Sequence, residues 1–425
     1  MTLLSRRSFA AAAAAATTLA AFRPARLLAQ VRPRVVVIGG GFGGASVARW
    51  LRRTDDGIDV TVVERNARFV TCPFSNLVLG GQRSIESISF GYDVVRRAGV
   101  EVVQDTATAI DPAARRVTLQ GGRVLNYDRL VLAPGIQLVW NGIEGYDEAA
   151  SDIMPHAWQA GPQTLLLRRK LEAMDDGGVV VVAVPDNPYR CPPGPYERAS
   201  LIAGYLKANK PRSKLIILDA KESFSKQPLF QEAWRTLYPG IVEWRPKSQS
   251  GRVVAVKARD GIVATEFDDL KPAVANIIPP QRAGQIAIAL GLDEGKGFCT
   301  VDPRSFESKV APGIHLVGDA IVPGAMPKSG FAANSQAKVC ARAIVSLLRG
   351  RPVEEPVLLN TCYSYAAADY GFAIFGAFRP GDTGLIVDIP GTVGTSPVGA
   401  SAQDRALEAR YAESWYSNIT ADMFG

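Results

Sequence analysis

Runs of β-branched residues that end in glycine or an acidic residue recur along the chain. Residues 35–38, in "RPRVVVIGGGFGGASVARWLRR", lead into Gly39, Gly41 and Gly44, after which Ala45, Ala48 and Leu51 keep a helical spacing. A second run, "IDVTVVER", ends at Glu64, twenty residues past the last glycine. This order predicts strand, glycine turn, helix, strand and acid. The glycines permit a tight turn and close backbone approach to a pyrophosphate at the helix N-terminus, and Glu64 would accept from ribose hydroxyls. A dinucleotide is therefore expected on residues 39–64.

Two later strands complete that unit. "YDRLVLAPG" ends in a Pro-Gly turn and "GIHLVGDA" ends at Asp319, a position suited to the ribityl chain of FAD. The domain is accordingly expected to be discontinuous, residues 31–145 and 286–351. The helix expected in "MPKSGFAANSQAKVCARAIVSLLRG" would aim its N-terminus at the flavin C2 carbonyl. Residues 146–285 read as a second βαβ unit: "GGVVVVAVP", then "GPYERASLIAGYLKAN" with Pro195 near its first turn, then "SKLIILDA". Pro185, Pro188, Pro192, Pro193 and Pro195 occupy its turn in place of glycines, so no nicotinamide is expected there. Residues 352–425 are rich in aromatic residues, Gly and Pro, and no basic amphipathic helix of a membrane anchor is read in them.

Composition narrows the class. The chain has 425 residues, is 47% apolar and carries a net charge of +7, of which Arg6, Arg7, Arg23 and Arg26 supply four. The remainder is too mild to indicate nucleic acid. Residues 1–30 read as a twin-arginine signal peptide, with Arg6 and Arg7 before Phe9 and an alanine-rich stretch, so the mature chain is expected in the periplasm without a membrane span.

Five cysteines are present, an odd number in a chain for which export permits disulfides. Cys191, in "PYRCPPGPYERAS", precedes a helix start and follows Arg190, both of which favour a thiolate; a plain loop disulfide is the alternative. Cys340 and Cys299 read as packed core thiols. Elimination leaves Cys362, in "LLNTCYSYAAADYG", as a candidate partner, and spacing does not prove the pair. Cys72, in "RFVTCPFSNLVLGG", is either a tether for a flavin methyl or a free buried thiol. Glu197 is placed to exchange protons or merely to complement the helix dipole. His156 and His315 are the only histidines; neither CxxCH, zinc spacing nor a Ser/His/Asp set occurs, so no c-type haem is expected on this chain.

Taken together, "GGGFGGA", "TCPFSN", "YDRLVLAPGI", "PHAW", "YRCPPGPYERAS", "IIPPQRAG", "MPKSGFAANSQ", "LNTCYS" and "SWYSNI" make the chain, from about Val35 to Gly425, resemble the flavoprotein subunit of flavocytochrome c sulfide dehydrogenase. The resemblance implies an α/β fold, a glutathione-reductase-like pair of Rossmann-type domains followed by an interface domain over residues 352–425. It further implies FAD held by a thioether at Cys72, a redox-active disulfide of Cys191 and Cys362, and a c-type cytochrome subunit that accepts the electrons. Pro73 and Phe74 would follow the linking cysteine, and Cys362 is taken as the sulfur nearer the flavin. The rival expectations are a sulfide:quinone oxidoreductase and a non-catalytic periplasmic flavoprotein that supports a sulfur-oxidising complex.

Overall fold

Residues 35–38 are buried on both faces, the condition under which an unbroken β-branched run stays extended inside a parallel sheet. The computed structural model describes residues 32–425; the expected signal peptide lies outside them. Arg34–Ile38 pairs on one side with Asp59–Glu64 and on the other with Arg129–Leu132, and Val100–Gln104 extends the sheet beyond Glu64. The strand Ile314–Leu316 joins the far edge, against Arg129–Leu132, so all five strands run parallel. Helix α1, Phe42–Thr54, lays Ala45, Val47, Ala48 and Leu51 on this sheet, and Arg52 and Arg53 in its last turn complement the helix dipole.

Between residues 132 and 314 the chain leaves and returns. Ile136–Leu138 pairs antiparallel with Gln281–Ala283, which brings the outgoing and incoming segments together. The excursion builds a second parallel sheet in the order Val242–Arg245, Lys214–Asp219, Val179–Val184, Val274–Ile277. Helix α2, Gly194–Asn209, connects its first two strands in sequence and has Pro in its first turn, where a missing N–H costs nothing. The α/β dinucleotide-binding fold expected from the sequence is present.

Helix α3, Gly330–Leu348, follows and is capped by the Ser329 hydroxyl, which accepts from Ala332 N at 3.0 Å. Then comes a long hairpin, Leu358–Ala367 with Tyr370–Pro380, that sets Cys362 opposite Ile374. The chain ends in helix α4, Ala402–Phe424, opened by a capping box between Ser401 and Asp404. The sequence reading did not anticipate this helix. Its buried face is Arg405, Ala409, Ala412, Tyr416, Ile419 and Met423, while Glu408, Arg410 and Glu413 mix charges elsewhere on the helix, so it is not a basic membrane helix. Among the described residues no helix is long and apolar enough to cross a membrane.

Candidate functional site

The glycine turn is compressed to the point where side chains do not fit. Gly39 has φ +98°, and a Cβ on it would collide with the Ala133 carbonyl; one on Gly44 would collide with the Gly39 carbonyl. Gly41 caps α1 without a side chain, which leaves the first N–H groups of the helix facing outward for a phosphate. Gly40 N donates to Glu64 Oε2 at 2.8 Å, and Asn66 N donates to Glu64 Oε1 at 2.9 Å, which holds this carboxylate at the mouth of the turn. Asp319 lies in a 3₁₀ turn just past the edge strand Ile314–Leu316, and its Oδ1 is buried without a hydrogen-bond partner. Burial pushes the Asp319 carboxyl up, opposed by Arg190 and Lys328. A glycine cradle, a ribose acceptor and an orphaned buried oxygen fit FAD: pyrophosphate at α1, ribose at Glu64, ribityl hydroxyl at Asp319.

Cys72 begins the short turn before the helix Ser75–Leu79, and its carbonyl accepts from Ser75 N at 3.0 Å and Ser75 Oγ at 2.7 Å. Its Sγ reaches Trp158 O at 3.8 Å. Phe74, at φ +70°, turns away into the C-terminal elements. Its ring stacks on Tyr416 at 4.0 Å and meets Tyr365 edge-on at 5.6 Å. Phe74 thus anchors the loop to α4 and the hairpin.

Cys191 occupies a left-handed position, φ +56°, two residues before the Pro193 cap of α2. Its N–H donates to Lys328 O at 2.9 Å and its carbonyl accepts from Gly194 N at 2.8 Å. A Cβ on Gly194 would stand 2.9 Å from Cys191 Sγ and 2.9 Å from the Trp158 ring, so glycine makes room for the sulfur. The guanidinium of Arg190 is bonded to Trp158 O, the carbonyl that Cys72 Sγ also approaches. Cys362 comes from the first strand of the hairpin, where its carbonyl accepts from Lys226 Nζ at 2.9 Å.

All five cysteines are free thiols in the structure. Burial pushes Cys191 well up, reinforced by Cys362 and Glu197 and opposed by Arg190. The expected activation of Cys191 by Arg190 is therefore outweighed by desolvation. Burial also pushes Cys362 up, against Lys226. Cys191 is within electrostatic reach of both Cys362 and Cys72, and Lys226 and Glu197 act on Cys362. Glu197 bridges the elements: Oε2 accepts from Asn76 Nδ2 at 2.7 Å and Oε1 from Tyr365 N at 2.9 Å, and burial pushes its carboxyl up.

A buried clamp fixes this assembly. Arg198 donates to Asn76 Oδ1 at 3.1 Å, His156 O at 3.0 Å, Asn276 Oδ1 at 2.9 Å and Ala157 O at 2.6 Å, with its guanidinium 5.0 Å from the Trp158 ring centroid. Burial pulls Arg198 down to about 10, so it stays charged at neutral pH. His156 Nδ1 accepts from Trp158 N at 2.9 Å, which marks the imidazole as a neutral structural group. Cys299 and Cys340 are wholly buried, apart from this cluster of three cysteines. Sequence reasoning missed Lys226 and Arg198 because their partners are separated from them by up to 138 residues along the chain.

Comparison with known proteins follows the same lines. Residues 164–279 match the central module of the sulfide dehydrogenase (flavocytochrome c) flavoprotein chain, residues 354–424 the flavin-binding module of flavocytochrome c sulfide dehydrogenase, and residues 33–165 the pyridine nucleotide-disulfide oxidoreductase family. The sulfide-quinone reductase of Aquifex aeolicus is 33% identical over 370 residues, covering 80% of this chain and 82% of that protein. The chain belongs to the sulfide-oxidising flavoprotein family. The flavoprotein chain of sulfide dehydrogenase (flavocytochrome c) from Chlorobaculum thiosulfatiphilum is 67% identical over 45 residues, 11% of this chain and 94% of that sequence. Among solved structures, the sulfide:quinone oxidoreductase of Aquifex aeolicus superposes with a TM-score of 0.72 at 22% identity, covering 92% of each chain, and shares the fold. The chain is thus a flavoprotein oxidoreductase that uses FAD.

Proposed function

We propose that the chain oxidises sulfide at a disulfide formed between Cys191 and Cys362 and delivers the electrons, through FAD tethered at Cys72, to a c-type cytochrome partner in the periplasm. The observation that carries this reading is the convergence of three cysteine-bearing segments: Cys72 Sγ and Arg190 meet at the Trp158 carbonyl, Gly194 lies against both Cys191 Sγ and the Trp158 ring, Glu197 joins Asn76 to Tyr365 N of the hairpin, and Lys226 bonds the Cys362 carbonyl.

In the oxidised enzyme, hydrosulfide attacks one sulfur of the pair. A new S–S bond forms, the old one breaks, and a persulfide and a thiolate result. A second hydrosulfide takes the sulfane sulfur away as hydrodisulfide and leaves the reduced pair. Re-forming the disulfide releases two electrons, and Glu197, its carboxyl raised by burial, is placed to take up a proton. FAD supplies the two-electron acceptor that can release electrons singly.

Two further observations support the choice of acceptor. In the second sheet, Asp219 ends the strand whose acid would bind a nicotinamide cofactor's ribose. Its carboxylate is instead fully buried and engaged by Tyr196 Oη at 2.6 Å, Trp244 Nε1 at 3.0 Å and Lys221 Nζ at 2.6 Å. On the outer face of the hairpin, Leu359 and Phe375 are 51% and 45% exposed, and Val393 beside them is 47% exposed, an apolar surface suited to a protein partner.

The purified protein should reduce a c-type cytochrome with sulfide, and Cys191→Ser or Cys362→Ser should lower that rate by at least about a thousandfold. Reduction of a quinone with none of the cytochrome would favour the acceptor named for the Aquifex aeolicus relative. Unchanged turnover in either serine variant would remove the disulfide from the mechanism.

A further inference from the structure

Lys226 is buried, 6% exposed, and forms no ion pair among the described residues. Glu197 acts on it only from beyond ion-pair distance and the Phe372 ring lies 5.6 Å away, so this buried ammonium is costly unless an anion comes to it. Its Nζ spends two of its three N–H donors on Cys362 O at 2.9 Å and Ser364 Oγ at 2.8 Å, and no third acceptor is found among the described residues. Cys362 and Ser364 are two apart on one strand and so face the same side, which sets the ammonium on the face of the hairpin that carries Cys362. The backbone fixes the lysine there: Lys226 is left-handed, φ +61°, and its carbonyl accepts from Leu229 N at 3.0 Å at the start of the helix Gln227–Leu237.

We infer that Lys226 recruits the hydrosulfide anion and directs it to Cys362, so that Cys362 carries the persulfide and Cys191 leaves as the thiolate. The inference rests on the disulfide reading above. The incoming sulfur bonds to Cys362 Sγ while the bond to Cys191 breaks, and the electron pair of that bond stays on Cys191. Arg190 adjoins that thiolate in the chain, with its guanidinium on the Trp158 carbonyl that Cys72 Sγ also approaches. Two cations thus divide the work: Lys226 faces the nucleophile and Arg190 the leaving group. Burial pulls Lys226 down, opposed first by Cys362 and then by Glu197, which agrees with its hydrogen bond to the Cys362 carbonyl.

The test uses the oxidised holoprotein and three nucleophiles: hydrosulfide, sulfite and a neutral trialkylphosphine. Disulfide cleavage is followed by rapid alkylation and mass spectrometry, which needs no turnover. Sulfite leaves an S-sulfonate on the sulfur it attacks, and the expected site in the wild type is Cys362. In Lys226→Met, cleavage by hydrosulfide and sulfite should slow by about tenfold or more, with the phosphine rate nearly unchanged, because a removed charge slows only charged reactants. Lys226→Arg should recover most of the anion rate. An S-sulfonate on Cys191, or an equal slowing of all three nucleophiles, would overturn the inference. The label on the wild-type protein decides the matter even where the Met variant does not fold. Absence of any disulfide to cleave in the wild type would instead overturn the reading beneath it.

Discussion

Phe74 shows how single residues hold the site together. Its ring is buried between Tyr416 and Tyr365, so Phe74→Ala should cost about 3 kcal/mol. Denaturant unfolding would read this as a lower midpoint with an unchanged slope. Both histidines act through pH. Burial holds His156 down to about 3 and His315 down to about 4, against an unfolded value of about 6.5. The unfolded chain therefore binds more protons below about pH 6.5, and their contribution is present above that value and lost as pH falls toward 3–4. Thermal midpoints should drop between pH 7 and 4. His156→Asn, which keeps an acceptor for Trp158 N, should make that drop shallower; an unchanged slope would count against a neutral His156. Gly39, Gly41, Gly44 and Glu64 were legible because their spacing is local and their chemistry is set by backbone approach. Lys226 was not: nothing in "SFSKQP" reveals a contact to a strand 136 residues away.

At the scale of elements, α2 matters most, because its N-terminus and the loop just before it present Cys191, Gly194, Glu197 and Arg198 to different partners. Gly194→Val would drive a side chain into Cys191 Sγ and the Trp158 ring. It should slow sulfide-dependent disulfide cleavage about a hundredfold or more while α1 still retains FAD, which absorbance of the bound flavin would report. The element missed from the sequence, α4, did carry its signals: the Ser401–Asp404 capping box and the spacing of Ala409, Ala412, Tyr416, Ile419 and Met423. The preceding run of Gly and Pro obscured them, and a buried Arg405, ion-paired to Glu232 at 3.0 Å, reads as a surface residue until its partner is seen. Helix α4 also reaches the FAD unit, since Arg49 Nη1 donates to Ala421 O at 2.9 Å and Lys338 pairs with Asp422 at 3.0 Å. Removing residues 402–424 should therefore release FAD and lower the melting temperature together.

Across the whole molecule, two parallel sheets and a C-terminal hairpin each contribute one cysteine-bearing segment to a single cluster. The strand patterns made both sheets legible, because parallel strands buried on two faces need long apolar runs. The meeting of the hairpin with α2 was not legible, since it depends on tertiary packing between segments far apart in sequence. The proposed surface for a cytochrome partner belongs to this scale too. Phe375→Asp should weaken association with the cytochrome at least about tenfold, measured by titration, and leave the reaction of the isolated flavoprotein with sulfide unchanged. The central claim is that residues 191 and 362 form the sulfide-reactive bond. Peptide mapping of the air-oxidised protein without reductant tests it most directly. The account predicts one cross-linked peptide joining those two positions, which disappears on adding sulfide; finding both sulfurs as unlinked thiols in the oxidised, active protein would contradict it.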